Sequence, residues 1–384
     1  MIKVIKNIHV YAPDDIGVKD IVLCGENVIA IEENFTCDTV KCEIIDGTNK
    51  IAVPGIIDSH VHIIGGGGEG GFHTRTPEVN IIDVVKAGVT SVVGLLGTDG
   101  ITRTVEDLLA KAYALEHEGI STFILTGSYE VPTKTLTGDI KKDIAFIPKV
   151  RGVKIALSDH RSSHPTKEEI LRITSDVRVA SMLSGKQGTV HIHMGSEAKC
   201  LKDVFKIIEE TDIPANIFYP THINRNQSVL NEGIKLTQLG GRIDISAHEE
   251  DTKGSAKDIV TAIELGAVEE QITLSSDGNG SIPKFDDNGK MIGIGIGRLD
   301  AVIETVKSLI EDEHMDIGRA FKFVTENAAK GLGIFPQKGS ITEGCDADIL
   351  ILDHDLNVDG LIAKGKMLMK DKEIHVKSTF KYGK

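Results

Sequence analysis

Eight short apolar runs recur along the middle of the chain, and they restrict its fold more than any other feature. They cover residues 53–57, 90–96, 122–125, 152–157, 189–193, 215–219, 242–245 and 271–275. Successive runs lie roughly thirty residues apart, about the length of a strand, a helix and their connections. The segments between them carry helix punctuation. Thr104 with Asp107 reads as a capping box with Gly119 past the helix end, Thr166 with Glu169 is closed by Gly185, and Ser255 with Asp258 by Gly266. Eight alternating units of this kind predict an α/β fold, a (β/α)8 TIM-like barrel. An open, doubly wound sheet competes with it, but its dinucleotide fingerprint needs a glycine-rich turn leading straight into a helix. GGGGEGG at 65–71 follows histidines and has no capped helix directly behind it, and GIGIG at 293–297 lacks the Gly-Lys-Ser/Thr of a phosphate loop.

The two ends read differently. Residues 4–10 and 21–31 are β-rich runs broken by Pro13, Asp14, Asp15 and Gly25, and the C-terminal GSITEGCDADILILD and the run 366–376 share that character. Neither end has a helical period long enough to cover a sheet. Both are expected to join in one small β-sandwich domain, built from 1–52 and 337–384, beside a barrel of 53–336.

Composition narrows the class of chemistry. A chain of 384 residues that is 40 % apolar can bury a large core and exceeds what one core usually supports. Its net charge of −14 argues against nucleic acid and against an anionic membrane surface. Cys24, Cys37, Cys42, Cys200 and Cys345 form no C-x-x-C pair and are read as reduced thiols of a cytoplasmic protein. The opening MIKVIKNIHV interleaves lysines with apolar residues, unlike a signal peptide, and no stretch reaches the ~18 apolar residues of a membrane span. Small-molecule chemistry is what remains.

In a barrel, the polar residues that close the strands converge on one face. His60 and His62 stand two apart after the first run, so on a strand both imidazoles point the same way. Alone they suit either a metal or ordinary hydrogen bonds. Lys154 lies inside VRGVKIAL, where an unpaired ammonium is costly. Beside histidines and a cation its pKa would fall from about 10.4 towards neutrality, leaving an amine able to take up carbon dioxide as a carbamate that bridges two divalent ions. A lysine snorkelling to an acid is the competing reading. His193 closes the run at 189–193 and His222 follows ANIFYPT; His191, a layer deeper, is assigned to the interior, with a ligand role left open. Asp277 opens DGNGS, which also suits an Asx-turn. Together His60, His62, Lys154, His193, His222 and Asp277 make a nitrogen and oxygen set suited to zinc ahead of manganese, iron or cobalt. Two such ions lower the pKa of a bridging water from ~15.7 to about 7 and polarise a carbonyl. Asp277 could then take the hydroxide's proton and pass it to a leaving amine.

The His-x-His, the strand-four lysine, the single histidines of strands five and six, the aspartate after strand eight and the flanking GSITEGCDADILILD resemble the amidohydrolase superfamily in its binuclear form. More narrowly, GGGGEGG, SYEVPT, VKIALSDHRSSHP, PTHINRN and SSDGNGSIPKFDD are similar to the isoaspartyl dipeptidase family, over essentially the whole chain. The resemblance implies a metallo-dipeptidase holding two Zn²⁺ ions, bridged by carboxylated Lys154 and hydroxide, that cleaves β-aspartyl (isoaspartyl) dipeptides. It implies that Glu69 binds the substrate ammonium, with Gly67 and Thr98 lining that pocket. Arg161 and Arg225 would bind carboxylates, Ser281 would add a hydroxyl, and Tyr129 would close over the substrate and help polarise its carbonyl. Each charged hydrogen bond of this kind is worth roughly 1.5–3 kcal/mol. A homo-oligomer, octamers among the forms, is implied as well. Two other functions compete. A cyclic-amide hydrolase of the dihydroorotase or dihydropyrimidinase type shares the metal core but needs no ammonium-binding glutamate. A non-catalytic assembly protein keeps the barrel and loses ligands, all of which are present here.

Overall fold

Eight parallel strands carry the middle of the chain in the computed structural model, which describes residues 2–36, 41–248, 250–285, 291–376 and 379. They are β1 (Ile56–Val61), β2 (Val89–Gly94), β3 (Ser121–Gly127), β4 (Val150–Leu157), β5 (Thr189–Met194), β6 (Phe218–Thr221), β7 (Ile243–Ser246) and β8 (Ile272–Ser275). Strands β1 to β6 hydrogen-bond in order as one parallel sheet, and β7 pairs with β8. Two seams curl these sheets into the expected barrel. At one, the Arg242 amide donates to the Phe218 carbonyl at 3.2 Å; at the other, the His62 amide donates to the Gly278 carbonyl at 2.8 Å beside a parallel bridge from Val61. Val92, Ile124, Val153, Ile192 and Leu274 are buried in the cluster that fixes this shell.

Two of the expected helix starts are present, the first as a single cap and the second as the full box. Thr104 accepts from the Asp107 amide at the start of Val105–Glu118, and Thr166 with Glu169 makes the full reciprocal box ahead of Lys167–Ser184, closed by Gly185 at φ 66°. The third differs. Helix Thr252–Glu264 starts at Asp251, whose carboxylate accepts from the Gly254 amide at 2.9 Å, while Ser255 lies inside the first turn and accepts from the His248 amide. Asp251 and Ser255 are both good cap residues four apart, and the charged oxygen, which the helix dipole favours, takes the end.

The first apolar run also divides. Ile51–Pro54 leaves the barrel and pairs antiparallel with Ile349–Leu352, and Gly55 makes the break. A Cβ on Gly55 would stand 2.3 Å from the Thr90 side chain, so the two layers meet there without room for one. Ile51–Pro54 belongs to a nine-stranded mixed sheet in which strands from both chain ends lie side by side, with Ile2–Tyr11 against Ile51–Pro54 and Val358–Ala363 against Ile349–Leu352. Its own core holds Ile5, Ile8, Val10, Ile21, Ile349 and Ile362. Residues 215–217, expected to open the sixth strand, form a short 3-10 turn. After β8, Ser281–Phe285 pairs with Met291–Ile296 as a hairpin, so the glycines at 293 and 295 sit in an antiparallel strand.

Cys24, Cys200 and Cys345 are free thiols, but Cys42 is disulfide-bonded, which corrects the reading of every cysteine as reduced. A disulfide requires close Cα approach, which spacing along the sequence does not disclose. Cys37, and Asp286 and Asp287 of the SIPKFDD motif, lie outside the described residues. No helix among the described residues is long and apolar enough to cross a membrane.

Candidate metal centre

The seam between β1 and β8 builds the centre. His60 sits within β1 and His62 just past its end, while Asp277, two residues beyond β8, takes a left-handed backbone at φ 51°. The His62–Gly278 backbone bond holds these ends together. As a result Asp277 Oδ1 lies 3.4 Å from His60 Nε2 and 3.2 Å from His62 Nε2, and one ligand atom from each residue fits within a 4.8 Å cluster. Asp277 Oδ1 is buried with no hydrogen-bond partner among the described residues, facing the Nε2 atoms of His60 and His62. A buried carboxylate oxygen without a donor is costly unless a cation shares it, so this set fits a divalent metal. The Asx-turn alternative fails on geometry, because the Asn279 amide, the donor such a turn needs, binds the Gly297 carbonyl at 2.9 Å.

Lys154 projects from β4, wholly buried, with Nζ 3.4 Å from His60 Nε2. Burial pushes its ammonium down to about 7, against the pull of Asp277 and Asp244. Among the described residues no carboxylate lies within ion-pair distance of it, so it is not a lysine snorkelling to an acid. His193 at the end of β5 and His222 just past β6 complete the ring, their imidazole centroids 4.6 Å apart, with His222 5.1 Å from His60. His222 Nδ1 meets the Ser246 hydroxyl at 2.6 Å, and His193 Nδ1 meets the Tyr129 hydroxyl at 2.6 Å. Burial, aided by the Lys154 charge, holds His60 and His222 well below the ordinary imidazole value, and burial takes His193 to about 3. Such rings stay neutral and keep a lone pair. His191 turns inward, its Nε2 2.9 Å from His60 Nδ1 and its ring edge-on to Tyr219.

Of the residues expected around the substrate, Glu69, Arg161 and Ser281 are brought together beside His193, with Arg161 Nη2 3.3 Å from His193 Nε2. Glu69 Oε1 is 3.1 Å from Arg161 Nη1 and accepts from the Ser281 hydroxyl at 2.7 Å. The Arg161 guanidinium lies 5.5 Å from the Tyr129 ring centroid. Gly67 takes φ 71°, and a Cβ there would fall 2.5 Å from the Thr74 carbonyl and 3.3 Å from Ser281 Cβ, so only glycine lets the loop close on Ser281. Arg225 approaches through Asp159, Nη1 to Oδ2 at 4.0 Å. Thr98 stands apart, half-buried in the loop after β2, with no side-chain hydrogen bond to the others among the described residues.

Three acids were not foreseen. Asp159, in the turn after β4, contacts His193 and Arg161. Arg161 and His193 overcome the opposing effect of burial and hold its carboxyl far below the usual range. Beneath the ring, Asp58 takes the Ser276 amide and hydroxyl, and Asp244 takes the hydroxyls of Thr221, Thr273 and Ser275. Burial raises Asp58 to about 7 and Asp244 to about 6. The signal was an acid inside or just past an apolar run, the same signal that marked Lys154.

Comparison with known proteins places this geometry. The profile described as the Amidohydrolase family matches residues 51–368. A crystal structure of beta-aspartyl dipeptidase from Fervidobacterium islandicum AW-1, in complex with a beta-Asp-Leu dipeptide, is 45 % identical over all of both chains, with a TM-score of 0.92. The dihydropyrimidinase of Brevibacillus agri NCHU1002 is 18 % identical over both full chains at a TM-score of 0.68, a likeness of fold. The L-hydantoinase of Paenarthrobacter aurescens is 21 % identical over 92 % of this chain and 86 % of its own.

Proposed function

Because the chain belongs to the amidohydrolase family, within its beta-aspartyl dipeptidase branch, we propose that it hydrolyses the β-aspartyl bond of dipeptides. The observation that carries this reading is the Glu69–Arg161–Ser281 cluster, which reaches the histidine ring of the His60–His62–Asp277 centre through Arg161 Nη2, 3.3 Å from His193 Nε2. An isoaspartyl dipeptide presents an ammonium and two carboxylates, and Glu69 with Arg161 and Arg225 supplies the complementary one anion and two cations. A cyclic amide has no ammonium for Glu69 to bind.

Two Zn²⁺ ions would be held by His60, His62, His193, His222, Asp277 and carboxylated Lys154. Bound there, the pair would supply an acidified water and a Lewis acid for the scissile carbonyl. An amine at about 7 supports the carboxylation, because much of it is neutral at physiological pH. The Asp277 carboxylate would take a proton and return it to the leaving amine. Glu69 holds the ammonium while Arg161 and Arg225 hold the carboxylates, with Gly67, Thr98 and Ser281 shaping the pocket. Burial raises the Tyr129 phenol well above its usual range, against the pull of Arg161, so it stays a donor. Its hydroxyl now meets His193 Nδ1, and swinging over a substrate carbonyl would release that nitrogen.

The same reading divides the chain into 1–52 with 337–384 and 53–336, and makes it a homo-oligomer, octamers included. Exposed Val179, Met182 and Leu183, at helix-neighbour spacing, support association. A cytoplasmic location rests on the three free thiols, and the Cys42 disulfide counts against it.

Glu69→Gln tests the assignment, since the amide keeps the shape and loses the charge. Catalytic efficiency on β-aspartyl-leucine should fall by about 10²-fold or more, the cost of leaving the substrate ammonium without its counter-charge in a dry site. An efficiency within twofold of wild type, or turnover of a cyclic imide or ureide, would reject the ammonium site.

A further inference from the structure

Asp159 touches a proposed metal ligand and both proposed carboxylate-binding arginines. Its side chain is buried, with 3 % of the residue exposed, in the turn just past β4. Oδ1 accepts from the Arg161 amide at 2.8 Å and from Arg161 Nε at 2.9 Å. Oδ2 accepts from Arg161 Nη2 at 2.9 Å, faces His193 Nε2 at 2.9 Å, and lies 4.0 Å from Arg225 Nη1.

An ionised carboxylate has lone pairs and no proton to give, so the proton of the His193 contact sits on Nε2. Nδ1 then keeps its lone pair and accepts from the Tyr129 hydroxyl at 2.6 Å. In the opposite tautomer the Nε2 lone pair would face a carboxylate oxygen at the same 2.9 Å, which is repulsive. Arg161 Nη2, 3.3 Å from Nε2, is a neighbour of that ring nitrogen and not its donor, because a protonated nitrogen has nothing left to accept with. A histidine that donates one ring N–H to a carboxylate and offers the other nitrogen is the arrangement that orients metal ligands. Here the carboxylate that would do so also grips the guanidinium of Arg161 through two parallel bonds.

We propose that Asp159 is a positioning residue that fixes His193 in the Nε2–H tautomer, so that Nδ1 is the atom offered to a metal ion. The same carboxylate aims Arg161 and Arg225 at the substrate, coupling the metal site to carboxylate recognition. This rests on the dipeptidase reading for its substrate arm alone.

The test compares Asp159→Ala and Asp159→Asn in the metal-loaded, full-length protein, by metal retained against a competing chelator and by KM and kcat on β-aspartyl-leucine. Alanine removes the acceptor and the charge, so one of two bound ions should be held about 10–100-fold more weakly, with KM up at least about tenfold. Asparagine keeps an oxygen that can accept from Nε2–H but loses the charge that holds the arginines. It should retain metal within about threefold of wild type while KM rises as in the alanine variant. That split separates positioning from general loosening of the fold, which would move both readouts together. Wild-type metal retention in Asp159→Ala, or a KM within twofold of wild type in Asp159→Asn, would overturn the proposal. Should the alanine variant not fold, loss of both metal and substrate affinity in Asp159→Asn would overturn it too. Chelator competition needs no turnover; a fully loaded wild type inactive on β-aspartyl dipeptides would sink the dipeptidase reading and leave the metal-retention result to decide the role of Asp159.

Discussion

Lys154 is the side chain on which the proposed chemistry turns, an amine sealed in the barrel 3.4 Å from a histidine nitrogen. Lys154→Ala is expected to lose metal and most turnover, beyond the roughly 10–100-fold that outer-shell changes cost a metal site. Added formate or acetate should restore part of both by standing in for the missing carboxylate. Full metal occupancy with normal turnover, measured by elemental analysis beside steady-state rates, would exclude the bridge. At this scale His60, His62 and Asp277 were legible, since a two-residue spacing at a strand end and an acid after another strand report directly on which way side chains point. Asp159 was not. Its partner His193 is 34 residues away, and only the pairing of β4 with β5 brings them together.

Among the elements, strand and helix placement followed the hydrophobic period, and the exceptions came where two elements share one signal. Residues 51–57 read as one strand because both halves are apolar, yet Gly55 divides them between two sheets. Helix Thr252–Glu264 offered two acceptable caps, and the charged oxygen of Asp251 took the end while Ser255 turned to the His248 amide. Asp251→Ala should therefore cost about 0.5–2 kcal/mol, the usual worth of an N-cap. Chemical denaturation would show it as a lower midpoint at unchanged slope. An unchanged midpoint would mean that Asp251 does not hold the helix end.

For the whole molecule, the flanking sheet ties the chain's two ends together, and Asp20 is one of its anchors. Burial disfavours the charge on Asp20, but Lys6 and the amides of Asn7 and Phe35 outweigh it and hold the carboxyl below its ordinary value. A depressed folded-state pKa adds stability above the unfolded value, about 3.9, and that stability is lost as pH falls through the folded value. Asp20→Asn should thus be less stable than wild type at pH 7, by about 1–3 kcal/mol for a charged hydrogen-bonded group. The two melting curves should converge in acid, and a gap that persists or widens there would reverse the assignment. That both ends belong to one sheet was legible from their shared β character. The Cys42 disulfide and the hairpin after β8 were not, because both depend on how distant backbone segments approach one another.

The most direct test of the account is steady-state hydrolysis of β-aspartyl-leucine beside its α-linked isomer by the zinc-loaded protein. In the α-linked isomer the ammonium sits one bond nearer the scissile carbonyl while the carboxylate keeps its distance, so Glu69 and the arginines cannot all be paired in one pose. Each partner left unpaired in a dry site costs several kcal/mol, about 10² to 10⁴ in rate. The account predicts that kcat/KM favours the β-linked dipeptide by that factor. Equal rates for the two isomers, or a preference for the α-linked one, would contradict it.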